Sequence, residues 1–379
     1  MHVAFVSPFG AHDGRSWSGI PLRMHRALAA HVDRVSVVTP LSFGPTVSRA
    51  TARAVASRLR GRPHSRYHTV AAADALAEQT ADAIARLRPD AVLSPSSLPF
   101  ARLEQTGIPV AFWTDLTFEA AMFLYDGYAA LPDADIAEAL RLDTDAIRRS
   151  HAFYASAYAA RSAIAYSGAD PEHVRVVPFG ANLDIIPTEA EVAGAIGARP
   201  AGACDMLFLG VDWYRKGGDV AVQVADALNA SGVPATLSVV GCTPVLDQPR
   251  PYVHLHGFVS KATVEGRAKI EHLLATSHLL MMPVRAEAFG CVFCEASAYG
   301  VPSVTTRSGG AGSAVMDGEN GLVFEPRASA AEIAARVEAL VRDRNAYQML
   351  ARRSRAVFDE RLNWHAATGA VAARLAEVA

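Results

Sequence analysis

The chain has little of several things that would set its class. It carries 4 cysteines in 379 residues, too few for a disulfide framework and in keeping with a reducing compartment. No uninterrupted apolar run reaches the ~18 residues of a membrane span. The start, Met1-His2-Val3-Ala4-Phe5-Val6, has no basic flank, no long apolar core and no cleavage site, and runs straight into a strand. Charge of one sign is also missing: 36 Lys and Arg face 38 Asp and Glu, a net charge of −2. That balance excludes a globally basic nucleic-acid binder. The turn after the first strand holds no G-x-G-x-x-G, and the chain holds no G-x-x-x-x-G-K-[ST] phosphate loop. With 51% hydrophobic and 20% charged residues, it can bury a large core and is not a disordered chain. The expectation is a cytoplasmic enzyme of two or three domains.

What is present is a repeated alternation. Short apolar runs at 2–7, 34–39, 91–94, 109–114 and 174–177, then at 204–211, 235–241, 252–257, 278–284, 301–306 and 321–324, read as strands. Many are apolar on both faces, as buried parallel strands are. Amphipathic stretches at 21–31, 72–87, 217–230, 264–275 and 329–342 lie between them, with a last one near 364–378. The pattern predicts an α/β protein of two Rossmann-like halves. Pro187, Gly194, Gly197, Pro200 and Gly202 mark a break. The expected division is 1–182, an interdomain linker at 183–202, 203–360, and a C-terminal helix at 361–379 packing back toward the N-terminal domain. Ligands of open parallel sheets sit beyond the carboxyl ends of the strands, so the loops after strands carry the candidates.

Three loops stand out. In Pro283-Val284-Arg285-Ala286-Glu287-Ala288-Phe289-Gly290-Cys291-Val292-Phe293-Cys294-Glu295 a strand ends, a charged loop follows and a helix starts near Gly290. Free N–H groups at a helix start hold an anion, and Glu287 and Glu295 bracket that start as acceptors for sugar hydroxyls. An ordinary βα loop with solvated acids reads the same way by pattern alone. In Gly210-Val211-Asp212-Trp213-Tyr214-Arg215-Lys216-Gly217-Gly218 two cations adjoin a second helix start and suit a diphosphate. A solvated pair is the plain alternative. In Trp17-Ser18-Gly19-Ile20-Pro21, Gly19 permits close backbone approach and Pro21 suits the first helical position.

Taken in order, Trp17-Ser18-Gly19, Arg215-Lys216-Gly217-Gly218, Glu287-x7-Glu295 with Phe289-Gly290, Ser308-Gly309-Gly310 and Gly318-Glu319-Asn320-Gly321 resemble a GT-B glycosyltransferase, more narrowly the retaining family 4 with its E-x7-E signature. Val177-Pro178-Phe179-Gly180-Ala181-Asn182 resembles that family's segment ahead of the linker. The likeness is strongest over 200–325. It implies two Rossmann-like domains facing a central cleft. It also implies a nucleoside diphosphate sugar, UDP-linked by expectation, as co-substrate, with a hydroxyl of a small-molecule or lipid-linked acceptor and no metal or other cofactor. Arg215 and Lys216 would hold the diphosphate, Glu295 the ribose and Glu287 the sugar. Backbone N–H groups of Phe289, Gly290, Cys291 and Val292 would meet sugar or phosphate. Phe258 or Val259 would bond the base through the backbone, and Gly19 would approach the diphosphate from the other domain. Two departures from the family stand out. Val211 occupies a place where many relatives carry Arg. Asp115, in Phe112-Trp113-Thr114-Asp115, occupies the place of a His, which makes it a candidate catalytic residue. A sugar-nucleotide epimerase, a phosphorylase, or a non-catalytic nucleotide-sugar-binding subunit are the alternative readings on this scaffold.

Rival signals are read plainly. Asp143-Thr144-Asp145 matches a short metal pattern but falls inside an amphipathic stretch from Ile136 to His151, and reads as solvated helix charge. Cys291-x-x-Cys294 lacks the further ligands of a zinc site. Residues 48–68 carry Arg49, Arg53, Arg58, Arg60, Arg62 and Arg66 and no acid. They read as a solvated face, or as a weak contact for an anionic acceptor or a membrane surface, and not as a nucleic-acid site, because aromatic residues are sparse there.

Overall fold

The computed structural model describes residues 1–43 and 67–379, so the Arg-rich stretch 48–68 lies outside the described residues except for Tyr67 and His68. The chain divides into two compact units, Met1–Pro178 with Trp364–Ala379, and Phe179–Asn363.

In the first unit β1 (His2–Val6), β2 (Arg34–Val38), β3 (Ala91–Ser94), β4 (Val110–Thr114), β5 (His151–Tyr154) and β6 (Val174–Val176) form a parallel sheet in the order β2-β1-β3-β4-β5-β6. β3 is buried along its whole length, as expected of a strand covered by helices on both faces. Its core gathers Val92, Phe100, Phe112, Leu142, Ile147 and Tyr154. The C-terminal helix, Trp364–Val378, packs against the Ile20–Leu28 helix. Its Trp364 ring meets Trp113 edge-on at 5.6 Å.

The second unit holds β7 (Cys204–Leu209), β8 (Ala235–Val240), β9 (Val253–Leu255), β10 (Leu279–Met282), β11 (Ser303–Thr306) and β12 (Gly321–Phe324), parallel in the order β12-β11-β10-β7-β8-β9. The first strand of this unit, β7, lies between β8 and β10. The strand order therefore reverses at β7 and β10, and in open parallel sheets ligands bind at such a reversal, beyond the carboxyl ends of the strands. The loops leaving these two strands are 210–217 and 283–290, the two cation- and acid-bearing stretches of the sequence.

The structure differs from the sequence reading at four places. The stretch expected as linker, 183–202, contains a helix, Glu189–Ala198, opened by a capping box between Thr188 and Glu191. Its Val192 and Ile196 are buried, so the segment is part of the second unit, which runs from Phe179 to Asn363 rather than from 203 to 360. The amphipathic stretch from Ile136 to His151 ends as helix at Arg149, and His151 begins β5. Only Ser150 separates the two, too little punctuation to read. Pro21 sits one place inside its helix, which starts at Ile20 after Gly19. Asp143 is not solvated. It is 7% exposed and accepts hydrogen bonds from Ser97 Oγ at 2.9 Å, the Phe118 amide at 2.8 Å and the Tyr166 hydroxyl at 2.5 Å.

Candidate functional site

The loop after β7 is built as a turn on Asp212. Its carboxylate accepts from the Arg215 amide at 3.0 Å and its carbonyl from the Lys216 amide at 3.1 Å. Gly217 then turns left-handed (φ +77°) and precedes the Gly218–Ala230 helix. Both glycines are required sterically. A Cβ on Gly217 would stand 2.0 Å from the Pro283 carbonyl oxygen, and one on Gly218 would stand 2.1 Å from the Trp213 ring. The loop is thereby pressed against the end of β10, and Arg215 and Lys216 are carried to the loop that follows that strand.

The second loop binds the first. The Arg285 amide donates to the Arg215 carbonyl at 2.8 Å. The Arg285 guanidinium stacks on Tyr214, 4.0 Å from the ring centroid, and forks onto both Asp219 oxygens at 2.7 Å. Burial pushes the Asp219 carboxyl up, but the Arg285 bonds and charge outweigh it and hold the carboxyl below its usual range. Arg215 donates to the Ala286 carbonyl at 2.9 Å and pairs with Asp212 at 3.1 Å. Glu287 is 6% exposed. One of its oxygens receives the Lys216 ammonium, with Arg215 at 3.9 Å, and the other accepts from the Ala288 amide at 3.1 Å.

Gly290 is left-handed (φ +87°) and precedes the Cys291–Ala298 helix; a Cβ there would stand 2.6 Å from the Phe293 ring. Cys291 and Val292 are half-buried in its first turn. Phe289 is buried and meets Phe179 edge-on at 5.6 Å, so only its backbone is available to a ligand. Cys291 and Cys294 are free thiols, and burial pushes the Cys294 thiol up. Glu295, 2% exposed, accepts from Lys261 Nζ at 2.5 Å through Oε1, while Oε2 is buried without a hydrogen-bond partner among the described residues. Lys261 belongs to the loop after β9, as do Phe258, which is exposed, and Val259, which is half-buried.

Arg215, Lys216 and Glu287 therefore converge, and Glu295 lies along the helix that follows. Gly19 and Asp115 belong to the other unit. Gly19 closes a strained turn in which Trp17 (φ 43°), Ser18 (φ 55°) and Gly19 (φ 82°) are all left-handed. A non-glycine residue there costs ~1–2 kcal/mol, and such strain clusters at ligand clamps. Asp115, half-buried, follows β4. Sequence reasoning missed Lys261, the Arg285–Asp219 tie and the buried position of Asp143. Among the described residues, no group of three or more His, Cys, Asp and Glu side chains is placed to hold a metal ion. No helix among them is long and apolar enough to cross a membrane.

Residues 196–357 match the family model described as glycosyl transferases group 1. The matched residues include both loops, Lys261 and the Cys291–Ala298 helix. The glycogen synthase of Mycobacterium tuberculosis is 30% identical over 178 residues, covering 46% of this chain and 43% of that one. A GDP-mannose-dependent alpha-(1-6)-phosphatidylinositol monomannoside mannosyltransferase of the same organism is 29% identical over 204 residues, covering 51% and 50%. The chain spans about half the length of the curated relatives it matches. The crystal structure of Anabaena Alr3699/HepE in complex with UDP and glucose superposes with a TM-score of 0.61 at 16% identity over the whole of both chains. The fold is GT-B: two α/β units, each on a parallel six-stranded sheet.

Proposed function

We propose that this protein is a retaining glycosyltransferase of the family 4 type, moving a sugar from a nucleoside diphosphate sugar to a hydroxyl acceptor. The observation that carries the reading is the convergence of Arg215, Lys216 and Glu287 at the reversal of strand order between β7 and β10, inside the group 1 region. Negative charge grows on the leaving diphosphate as the anomeric bond breaks. Cations fixed beside it stabilise that charge, as does the start of the Cys291–Ala298 helix. Arg215 and Lys216 are held ready by Asp212 and Glu287, partners that a diphosphate can replace. Glu287, buried and oriented by the Ala288 amide, faces the transferred sugar, and Glu295 the ribose. The acceptor is a small-molecule or lipid-linked hydroxyl, whose proton passes to the departing phosphate on the same face.

The scheme asks nothing of a metal, since side-chain cations carry the phosphate charge. Transfer in excess chelator is expected at nearly the untreated rate; loss restored by manganese or magnesium overturns the assigned phosphate site. The direction of the donor is tested with the two glutamates. Glu295 lies five residues beyond Gly290, ~7 Å along the helix, whereas Glu287 precedes it. Glu295→Gln is expected to weaken both the nucleotide sugar and the free diphosphate, because both contain ribose. Glu287→Gln is expected to spare diphosphate binding and lower turnover, since a bond to the reacting sugar is felt in the transition state. Calorimetry with the free diphosphate and steady-state kinetics separate the two; the opposite assignment reverses the donor.

A further inference from the structure

The chain contains three lysines, Lys216, Lys261 and Lys269, among its 36 basic residues; every other basic residue is arginine. Two of the three sit on the two glutamates of the site, Lys216 on Glu287 and Lys261 on Glu295. A sequence that uses arginine almost everywhere else places an ammonium at both of these contacts. The two cations are not equivalent. Guanidinium forks onto a carboxylate with two parallel bonds in fixed geometry, as Arg285 does on Asp219 here. An ammonium makes a single bond from a flexible stem and changes partners with little reorganisation.

The burial of the second pair is asymmetric. The Glu295 side chain is 3% exposed and the Lys261 side chain 40%. Glu295 is rooted on the Cys291–Ala298 helix between buried neighbours, whereas Lys261 comes from the loop after β9. Oε1 is occupied by the ammonium and Oε2 is out of reach of solvent without a partner among the described residues. A ribose hydroxyl that bonds this carboxylate through Oε1 competes with the ammonium for it. The outer, more exposed member of the pair is Lys261.

We propose that Lys261 is an exchangeable counter-ion that covers Glu295 and yields it to the ribose of the donor, and so sets the strength of nucleotide binding as a positioning residue. The inference rests on the proposed role of Glu295 in holding a ribose. The ion pair supplies the charge that makes a nearly dry carboxylate tolerable. Ribose binding replaces that one bond with bonds from the two sugar hydroxyls, and the displaced ammonium swings into water on its exposed side. A cover that holds more firmly weakens nucleotide binding; a cover that is absent does not.

The experiment compares the full-length wild type, Lys261→Arg and Lys261→Met by calorimetry against UDP, GDP and ADP and their 2′,3′-dideoxy counterparts. The expected result is that Lys261→Arg weakens the bound diphosphate about tenfold, because a forked pair has to be broken, and leaves the dideoxy form unchanged. Lys261→Met is expected to bind the diphosphate as tightly as the wild type or more tightly. A merely structural role would shift melting temperature but leave the ratio of diphosphate to dideoxy affinity alone, and that result overturns the proposal. So does a Lys261→Met variant with weakened diphosphate binding beside a neutral Lys261→Arg, which would make Lys261 a direct nucleotide ligand. If the wild type binds none of the three diphosphates, the nucleotide reading itself fails. If it binds one but does not distinguish the dideoxy form, the ribose role of Glu295 fails. Both outcomes overturn the exchange as well, and each is separable from a wild type that discriminates while the variants leave the ratio unchanged.

Discussion

At the scale of single residues, the site rests on charge pairs that the linear order hides. Lys216 and Glu287 are 71 positions apart, and nothing in either motif says that they touch. The loop motif suggests an exposed Lys216, yet its side chain is 12% exposed against 7% for Glu287. Lys216→Ala therefore has two expected effects. It leaves Glu287 buried with Arg215, at 3.9 Å, as its remaining cation among the described residues, which costs on the order of 3 kcal/mol of stability. It also removes charge stabilisation from the leaving group, about a hundredfold in turnover, or ~3 kcal/mol. The double variant Lys216→Met with Glu287→Gln removes both charges, and is expected to recover most of the stability and none of the turnover. Urea unfolding and steady-state kinetics on the same samples check this, and full activity in a folded variant makes Lys216 a bystander. Residue types were legible because phosphate and sugar chemistry demands cations and carboxylates after strands. Asp143 was misread because amphipathic spacing shows which face a helix buries, but not that Ser97, Tyr166 and the Phe118 amide meet on it. Lys261 was legible only by counting, as one of three lysines.

At the scale of elements, the sequence read well where turn chemistry punctuates it and poorly where it does not. Eleven of the strands among the described residues announce themselves as apolar runs bounded by glycine, proline or charge. β5 does not, because four residues follow a helix with Ser150 alone between. The Glu189–Ala198 helix was hidden by Gly194 and Gly197, which imitate a linker. The same residue type thus means different things, and substitution separates them. At Gly217 an added Cβ would stand 2.0 Å from the Pro283 carbonyl on a backbone at φ +77°. Gly217→Ala is expected to cost ~3 kcal/mol or more through strain and clash with backbone, and to lower turnover by moving Lys216. At Gly194 nothing lies within 4 Å and the residue is mid-helix, so Gly194→Ala is expected to gain ~0.5–1 kcal/mol with unchanged turnover. Chemical denaturation of the two variants side by side checks the contrast, and similar shifts in both would mean that the close approach of the two loops is not what requires Gly217.

At the scale of the whole molecule, the decisive feature is that one unit is continuous in sequence and the other is not. Phe179–Asn363 contains Arg215, Lys216, Phe258, Val259, Lys261, Glu287 and Glu295. Met1–Pro178 is completed only by Trp364–Ala379. That last helix buries Trp364, Val371 and Leu375 against the first unit. At ~1.5–3 kcal/mol for each large apolar side chain, its removal costs several kcal/mol, a large fraction of the ~5–15 kcal/mol that holds a typical domain together. A chain ending at Asn363 is therefore expected to lose the cooperative unfolding of the first unit while the second keeps its own. Because a ligand raises the stability of the folded unit that binds it, adding the diphosphate bound by the full chain should raise one calorimetric transition in the truncated chain, and should bind it still. Transfer to any acceptor should vanish, since Gly19 and Asp115 lie in the unit that unfolds. If truncation abolished diphosphate binding and both transitions together, the two units would fold as one, and the nucleotide site would not be the property of residues 179–363 alone.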